Sequence, residues 1–265
     1  MMYRMRNTTM ELLLHRRSVR SFQDKPISEE DKALLEQATL RAPTAGNMAL
    51  YSVIDVTDVK GKQKLADLCD HQQMVAAAPL VWVFVSDYQK WVDYFKGEKS
   101  PEKSGIPFTE PGWGDMHLGL QDAVIAAESA VIAAESLGIG SCYIGDVLEN
   151  GEKIQQLLNL PQYTVPACMV IFGYKKDSGV TKLNPRCPAD AIFMKDRYER
   201  HDLSEIRKAY AAQEEQSREL KRLPFANTGS LADFYYGRKY TSAFMKEMNR
   251  SVAYWFDRWK DKSCN

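Results

Sequence analysis

Arg16, Arg17 and Arg20 fall close together near the start of the chain, and Asn184-Pro185-Arg186 sets another arginine far downstream. A guanidinium presents a planar fork of N–H donors that matches phosphate oxygens, so a doubly charged phosphate favours several converging arginines. Each cluster taken alone is also what a solvated surface looks like. Other candidates for chemistry are thin. His15, His71, His117 and His201 stand far apart with no i, i+4 pair, so the familiar metal-ligand spacings are missing and no metal is expected. Cys69, Cys142, Cys168, Cys187 and Cys264 are odd in number and contain no C-x-x-C pair, the pattern of reduced thiols in a reducing compartment. There is no G-x-S-x-G elbow, Walker loop or dinucleotide fingerprint. Gly138-Ile139-Gly140 follows a helical pattern and precedes a strand, the reverse of the dinucleotide order.

The elements that must position an anion site centre on Asp115 to Asp146. Most of this stretch reads as one long Ala-rich helix, with Val124, Ile125, Val131, Ile132 and Leu137 expected to face inward. Asp122, Glu128 and Glu135 recur at nearly heptad spacing as a polar stripe, and three carboxylates argue against a membrane span. Gly138 suits a left-handed cap, and a short strand, Ser141 to Ile144, stops at Gly145. Such a strand end exposes backbone N–H groups to a ligand.

Around this stretch, a short helix from Met10 to His15 delivers the arginines. Ser28 with Asp31 opens a second helix that ends before Pro43. Ala42-Pro43-Thr44-Ala45-Gly46-Asn47 is a loop, Tyr51 to Val56 a strand, and Lys60 to Cys69 a helix. Leu80 to Val85 is near-continuously apolar, as expected of a strand buried on both faces at the sheet centre. Lys96 to Gly114 reads as a long loop holding Phe108 and Trp113. A helix near Ile154 to Leu158 and a last core strand, Ala167 to Phe172, complete a layered α and β domain. Beyond it the chain turns charged and helical, over Asp202 to Leu220 and Leu231 to Trp259. The aromatics of that tail either pack onto the chain's own core or reach across a partner subunit. The division expected is a core of residues 1–190 and a helical extension of 191–265.

Lysine plus arginine equals aspartate plus glutamate at 35 each, so no net field draws the chain to nucleic acid or an anionic membrane. Arg4 and Arg6 precede no apolar run of signal-peptide length, and a cytoplasmic location is the default expectation.

Four blocks carry a resemblance. Arg16-Arg17-Ser18-Val19-Arg20-Ser21-Phe22 with Pro26-Ile27-Ser28, then Ala42 to Asn47, then Glu135-Ser136-Leu137-Gly138 with Tyr143-Ile144-Gly145, and finally Phe172-Gly173-Tyr174 before Pro185-Arg186, occur in the order and spacing of the FMN-dependent nitroreductases. The chain most resembles the oxygen-insensitive nitroreductase and flavin reductase branch. That resemblance implies an α+β fold: a mixed, mainly antiparallel central sheet flanked by helices, a long central helix, an extended helical C-terminal tail, and a homodimer. It also implies bound FMN, with NADH or NADPH as electron donor and a small-molecule acceptor.

On matching positions, Arg16 and Arg186 would bind the FMN phosphate, with Arg17 and Ser18 beside them. Arg20 would lie at the pyrimidine edge of the ring, where negative charge collects on reduction. Pro43, Thr44 and Asn47 form the loop block, Thr44 and Asn47 coming from the second subunit. Gln72 would contact the ring's polar edge. Tyr143, Ile144, Gly145 and Asp146 form the backbone edge at flavin N5, which Gly145 and the N–H of Asp146 would face. Three positions depart from the pattern: Asp146 stands where relatives often have a second glycine, Asn184 replaces a frequent lysine, and Ala49 a common glutamine. The implied activity is ping-pong hydride transfer from NAD(P)H to nitroaromatic or quinone-type acceptors, the flavin doing the chemistry. Alternatives are flavin or azo reduction, reductive dehalogenation, or a flavin-binding sensor or store with incidental turnover.

Overall fold

A computed structural model describes residues 7–176 and 183–260, so Arg4, Arg6 and Cys264 lie outside the described residues. In chain order the elements are α1 (Thr8–His15), α2 (Glu29–Leu40), β1 (Tyr51–Asp55), α3 (Val59–Leu68), α4 (Gln73–Ala76) and β2 (Leu80–Asp87). Then come α5 (Gln89–Gly97), α6 (Ser100–Ser104), α7 (Trp113–Ser136), β3 (Gly140–Ile144), α8 (Gly151–Leu158) and β4 (Thr164–Gly173). The last are α9 (Leu203–Glu219), α10 (Leu231–Tyr235) and α11 (Ala243–Lys260). By contacts the chain forms two compact units, one of residues 1–177 with 247–265, the other of 178–246. This differs from a division at residue 190, because the chain leaves the first unit after β4 and most of α11 belongs to it.

Local chemistry sets the ends as expected. Ser28 Oγ accepts from the Asp31 N–H at 3.0 Å and Asp58 from the Gly61 N–H at 2.7 Å, capping α2 and α3. Gly138, at φ 73°, ends α7 in the left-handed region. The sheet order is β1-β2-β4-β3, and every strand pair is antiparallel. A parallel bridge between Ser18 and Ser141 adds the arginine segment to the β3 edge.

β2 is buried along its whole length, and its alternation divides the core in two. Val81, Val83 and Val85 join Ile144, Ile171, Trp255 and Trp259 on one face. Trp82 and Phe84 join Val170, Phe172 and the alanines of α7 on the other. Here the expected face of α7 is corrected. Ala123, Ala126, Ala127, Ala130 and Ala134 are buried with Val131, whereas Val124 and Ile125 are 46% and 40% exposed. Small side chains let the helix lie close to the sheet, and Gly119 marks the closest approach: a Cβ there would sit 2.2 Å from Ser86 Oγ and 2.9 Å from the Leu50 carbonyl oxygen.

Two further expectations are corrected. The stretch from Lys96 to Gly114 is not a continuous loop, since α6 lies within it and α7 begins at Trp113. The helix read over Leu231 to Trp259 is interrupted by a π-type turn at Tyr236–Tyr240 and resumes at Ala243. On the tail's aromatics the first alternative holds for Trp255 and Trp259, which are buried in the chain's own core. Trp259 packs edge-on against Tyr163 at 5.5 Å and donates Nε1–H to the Pro111 carbonyl at 3.0 Å. The nearly buried Arg258 donates to the carbonyls of Leu160, Gln162 and Thr164.

Closer to its start, α11 is clamped to α8 by Arg250, which reaches both oxygens of Glu152 at 2.7 and 2.8 Å and also pairs with Glu247. Hydrogen bonds from Arg250 hold the Glu152 and Glu247 carboxyls below their ordinary value of 4.5. Groups depressed in the folded state stabilise it above their unfolded pKa and lose that contribution as pH falls through the folded one. An Arg250→Ala chain should therefore melt below the parent at neutral pH and together with it well below the carboxylate range. The difference is small because the network is exposed. Thermal melts across an acid titration test this, and a gap that persists in acid would refute it.

Candidate active site

After α1 the chain runs extended along the sheet edge. The Val19 N–H donates to the Ser141 carbonyl at 2.8 Å, and Gln23 N–H to that of Tyr174, also at 2.8 Å. Gly140 permits this approach, since a Cβ there would stand 2.6 Å from Val19 Cγ2. The pairing sets Arg16, Arg17, Ser18 and Arg20 beside β3. Cys142, buried on β3, reports the neighbourhood: burial pushes its thiol up, while Arg20, Ser18 and Arg16 pull it down. Glu135 on α7 is raised by burial and lowered by Arg16 and Arg17.

At the end of β3 the side chains of Tyr143 and Ile144 turn away into protein. The Tyr143 hydroxyl donates to Glu128 Oε2 at 3.1 Å, and burial, seconded by the Glu128 charge, raises its pKa. Ile144 is in the core. What this edge can offer a ligand is backbone, and Gly145 is exposed with no atom within 4 Å of where a Cβ would be. Asp146 is half-buried in a 3-10 turn, Gly145–Leu148. Its charge acts on the Cys69 thiol, which burial chiefly raises, so the carboxylate's field reaches the end of α3. That turn is tied there by Asn150 Nδ2–H, which donates to the Leu68 carbonyl at 2.9 Å. Gln72 follows two left-handed residues, Asp70 and His71 at φ 54° and 55°, and starts α4 half-buried.

The loop block is held from α7. Thr44 Oγ1–H and the N–H groups of Ala45 and Leu50 all donate to Asp122, which is only 3% exposed. Gly46, Asn47 and Ala49 adopt positive φ of 58°, 60° and 49°, and Pro43 and Asn47 are exposed. Sequence reasoning missed Asp122, Glu128 and Gly140 as determinants of this site. The signal available was the nearly heptad carboxylate stripe on a helix otherwise made of alanine.

Asn184 and Arg186 belong to the second unit. There they line a cleft of about 1410 Å³ with Cys187, Ile206, Arg207 and Tyr210. Gln213 Nε2 donates to Cys187 Sγ at 3.3 Å beside it. Within the first unit, the described residues bring Arg16, Arg17, Ser18 and Arg20 to the edge of β3, the strand that ends at the open backbone of Gly145. No group of histidine, cysteine or carboxylate side chains that could hold a metal ion occurs among the described residues, and no described helix is long and apolar enough to cross a membrane.

A four-stranded antiparallel sheet with a long helix against one face, and an arginine strip along its β3 edge, is an arrangement that comparison identifies. The nitroreductase family profile matches residues 13–174. The chain belongs to the nitroreductase family. It is 29% identical over 192 residues to the oxygen-insensitive NADPH nitroreductase of Salmonella typhimurium, covering 72% of this chain and 75% of that one. It is also 29% identical over 232 residues to the NADPH-flavin oxidoreductase of Vibrio harveyi, covering 85% and 92%. Among solved structures, that of B. megaterium NfrA1 superposes with a TM-score of 0.78 at 27% identity, covering 94% of this chain and 98% of that one.

Proposed function

We propose that the chain is an FMN-dependent NAD(P)H oxidoreductase that passes hydride by a ping-pong sequence to nitroaromatic or quinone-type acceptors, working as a homodimer. The observation that carries this reading is the strip of Arg16, Arg17, Ser18 and Arg20, brought to β3 by the bridge of Ser18 to Ser141, on the strand whose end leaves the Gly145 backbone open. Guanidiniums and a hydroxyl suit a phosphate and an electron-rich ring edge, and bare backbone suits a flat ring, so the donor set fits FMN. The names of the NADPH nitroreductase and NADPH-flavin oxidoreductase relatives agree with it. When bound, FMN would supply the two-electron carrier between nicotinamide and acceptor.

The residues of this chain would bind and orient. Arg16 and Arg186 would hold the phosphate, with Arg17, Ser18 and Asn184 nearby. Arg20 would place positive charge at the pyrimidine edge, favouring reduction. Gln72 would meet the polar edge of the ring, and the Gly145 and Asp146 backbone would line the face where hydride arrives. Pro43 would belong to the cofactor loop, and Thr44 and Asn47 would be given to the second subunit's flavin. For the homodimer, α1 and α7 pack together and expose Leu13, Leu14, Leu118, Val124 and Ile125, apolar surface of the kind that a second copy covers. The free thiols of Cys69, Cys142, Cys168 and Cys187 suit a reducing cytoplasm.

The purified protein should be yellow, bleach with NADH or NADPH under nitrogen, and regain colour with nitrofurazone or a quinone. Bound FMN that no nicotinamide bleaches would favour a sensor or store. A colourless protein that cannot be loaded with FMN would overturn the proposal.

A further inference from the structure

Asp122 is a buried carboxylate that the roles above leave unused. It lies on α7 at 3% exposure and gathers donors from both ends of the loop at residues 44–50. Thr44 Oγ1–H donates to Oδ2, the Ala45 N–H lies 3.0 Å from Oδ1 and 3.2 Å from Oδ2, and the Leu50 N–H lies 3.2 Å from Oδ2. An ionised carboxylate accepts at both oxygens and donates nowhere, so it can take all three donors at once. Between these anchors run the left-handed Gly46, Asn47 and Ala49. Non-glycine residues hold such a conformation only where the surroundings impose it.

We infer that Asp122 is the positioning residue of the cofactor loop, and that it fixes Thr44 so that its hydroxyl meets the flavin only as a hydrogen-bond acceptor. A threonine hydroxyl has one proton, and Asp122 takes it. Only lone pairs then remain for a ligand. They suit a donor, a ribityl hydroxyl or the ring imide N–H, and do not suit a phosphate oxygen. The inference rests on the FMN reading and adds to it the part of the flavin that this loop serves. Two other carboxylates on α7 act alike on neighbouring segments: Glu128 holds Tyr143, and Glu135 faces Arg16 and Arg17. Asp122 is the one whose contacts fix a ligand-facing hydroxyl.

The test compares the dissociation constants of FMN and riboflavin for the parent, Thr44→Val, Thr44→Ser and Asp122→Asn proteins, each also melted without flavin. Asparagine offers one acceptor oxygen and turns an NH₂ group toward donors. Asp122→Asn and Thr44→Val should each weaken FMN and riboflavin by the same factor, about tenfold, the loss of one hydrogen bond to a buried charged network. Thr44→Ser should bind as the parent does. A merely structural Asp122 would lower the melting temperature and leave both constants of the folded protein within twofold, which overturns the inference. So does a loss confined to FMN, because it places Thr44 at the phosphate. If Asp122→Asn fails to fold, Thr44→Val and Thr44→Ser decide by the same criteria. A parent protein that binds no FMN defeats the functional reading itself, an outcome distinct from these.

Discussion

Gly119→Ala is expected to lower the melting temperature by about 5–10 °C. The added Cβ would enter space held by Ser86 Oγ at 2.2 Å and by the Leu50 carbonyl oxygen at 2.9 Å. Ser86 can rotate, at the loss of its hydrogen bond to the Met116 carbonyl. The Leu50 backbone has no such freedom, because its N–H is held by Asp122 and its carbonyl accepts from the Asp87 N–H. Either α7 retreats from β2 or Leu50 moves, and overpacking of this kind costs about 1–3 kcal/mol. Movement of Leu50 would pull on the loop that carries Thr44 and Asn47, so flavin retention should fall with stability. Gly114 is the control: it lies in the same helix with nothing within 4 Å of an added Cβ, and Gly114→Ala should be neutral or slightly stabilising. Differential scanning calorimetry of the three proteins decides, and equal melting of Gly119→Ala and parent would refute the packing argument.

The second large effect concerns the arginines. Arg16→Ala and Arg186→Ala should each weaken FMN binding at least tenfold, since a charge-assisted hydrogen bond contributes roughly 1.5–3 kcal/mol. Arg16 is half-buried where the chain leaves α1, its field felt at Glu135, and Arg186 lines the cleft of the second unit. Riboflavin, which lacks the phosphate, should be bound equally by parent and variants. Fluorescence titration of the flavin-free proteins reads both constants. An unchanged FMN constant in either variant would remove that arginine from the phosphate site.

Where sequence and structure agree, the chemistry is local. The Ser28 cap, the glycine end of α7 and the continuous apolar run of β2 each depend on a few adjacent residues, and each falls where the pattern puts it. Where they part, the cause is tertiary. Ranking α7 by hydrophobicity turns Val124 and Ile125 inward, but a helix pressed on a sheet keeps its smallest side chains at the contact, so alanine takes the buried face. The break at Tyr236–Tyr240 leaves no mark in the periodicity of the aromatics around it. The arginine cluster is visible in the sequence, yet its registration on β3 depends on Gly140, whose value appears only once Val19 is placed against it. Asp122 reads as one member of a polar stripe until the loop folds over it.

The return of α11 to the first unit bears on the order of synthesis. Trp255 and Trp259 belong to the same buried cluster as Val81, Val83, Ile144 and Ile171, residues translated long before them. While the ribosome is making residues 178–246, α3, α4 and α8 already offer Leu65, Val75 and Ile154 to that face, but the part that Trp255 and Trp259 fill is still open. The core of the first unit is complete only once α11 has left the exit tunnel, so its last packing step waits on the synthesis of the second unit. Chaperone capture of the unfinished chain should be greatest in that interval and end as the two tryptophans dock.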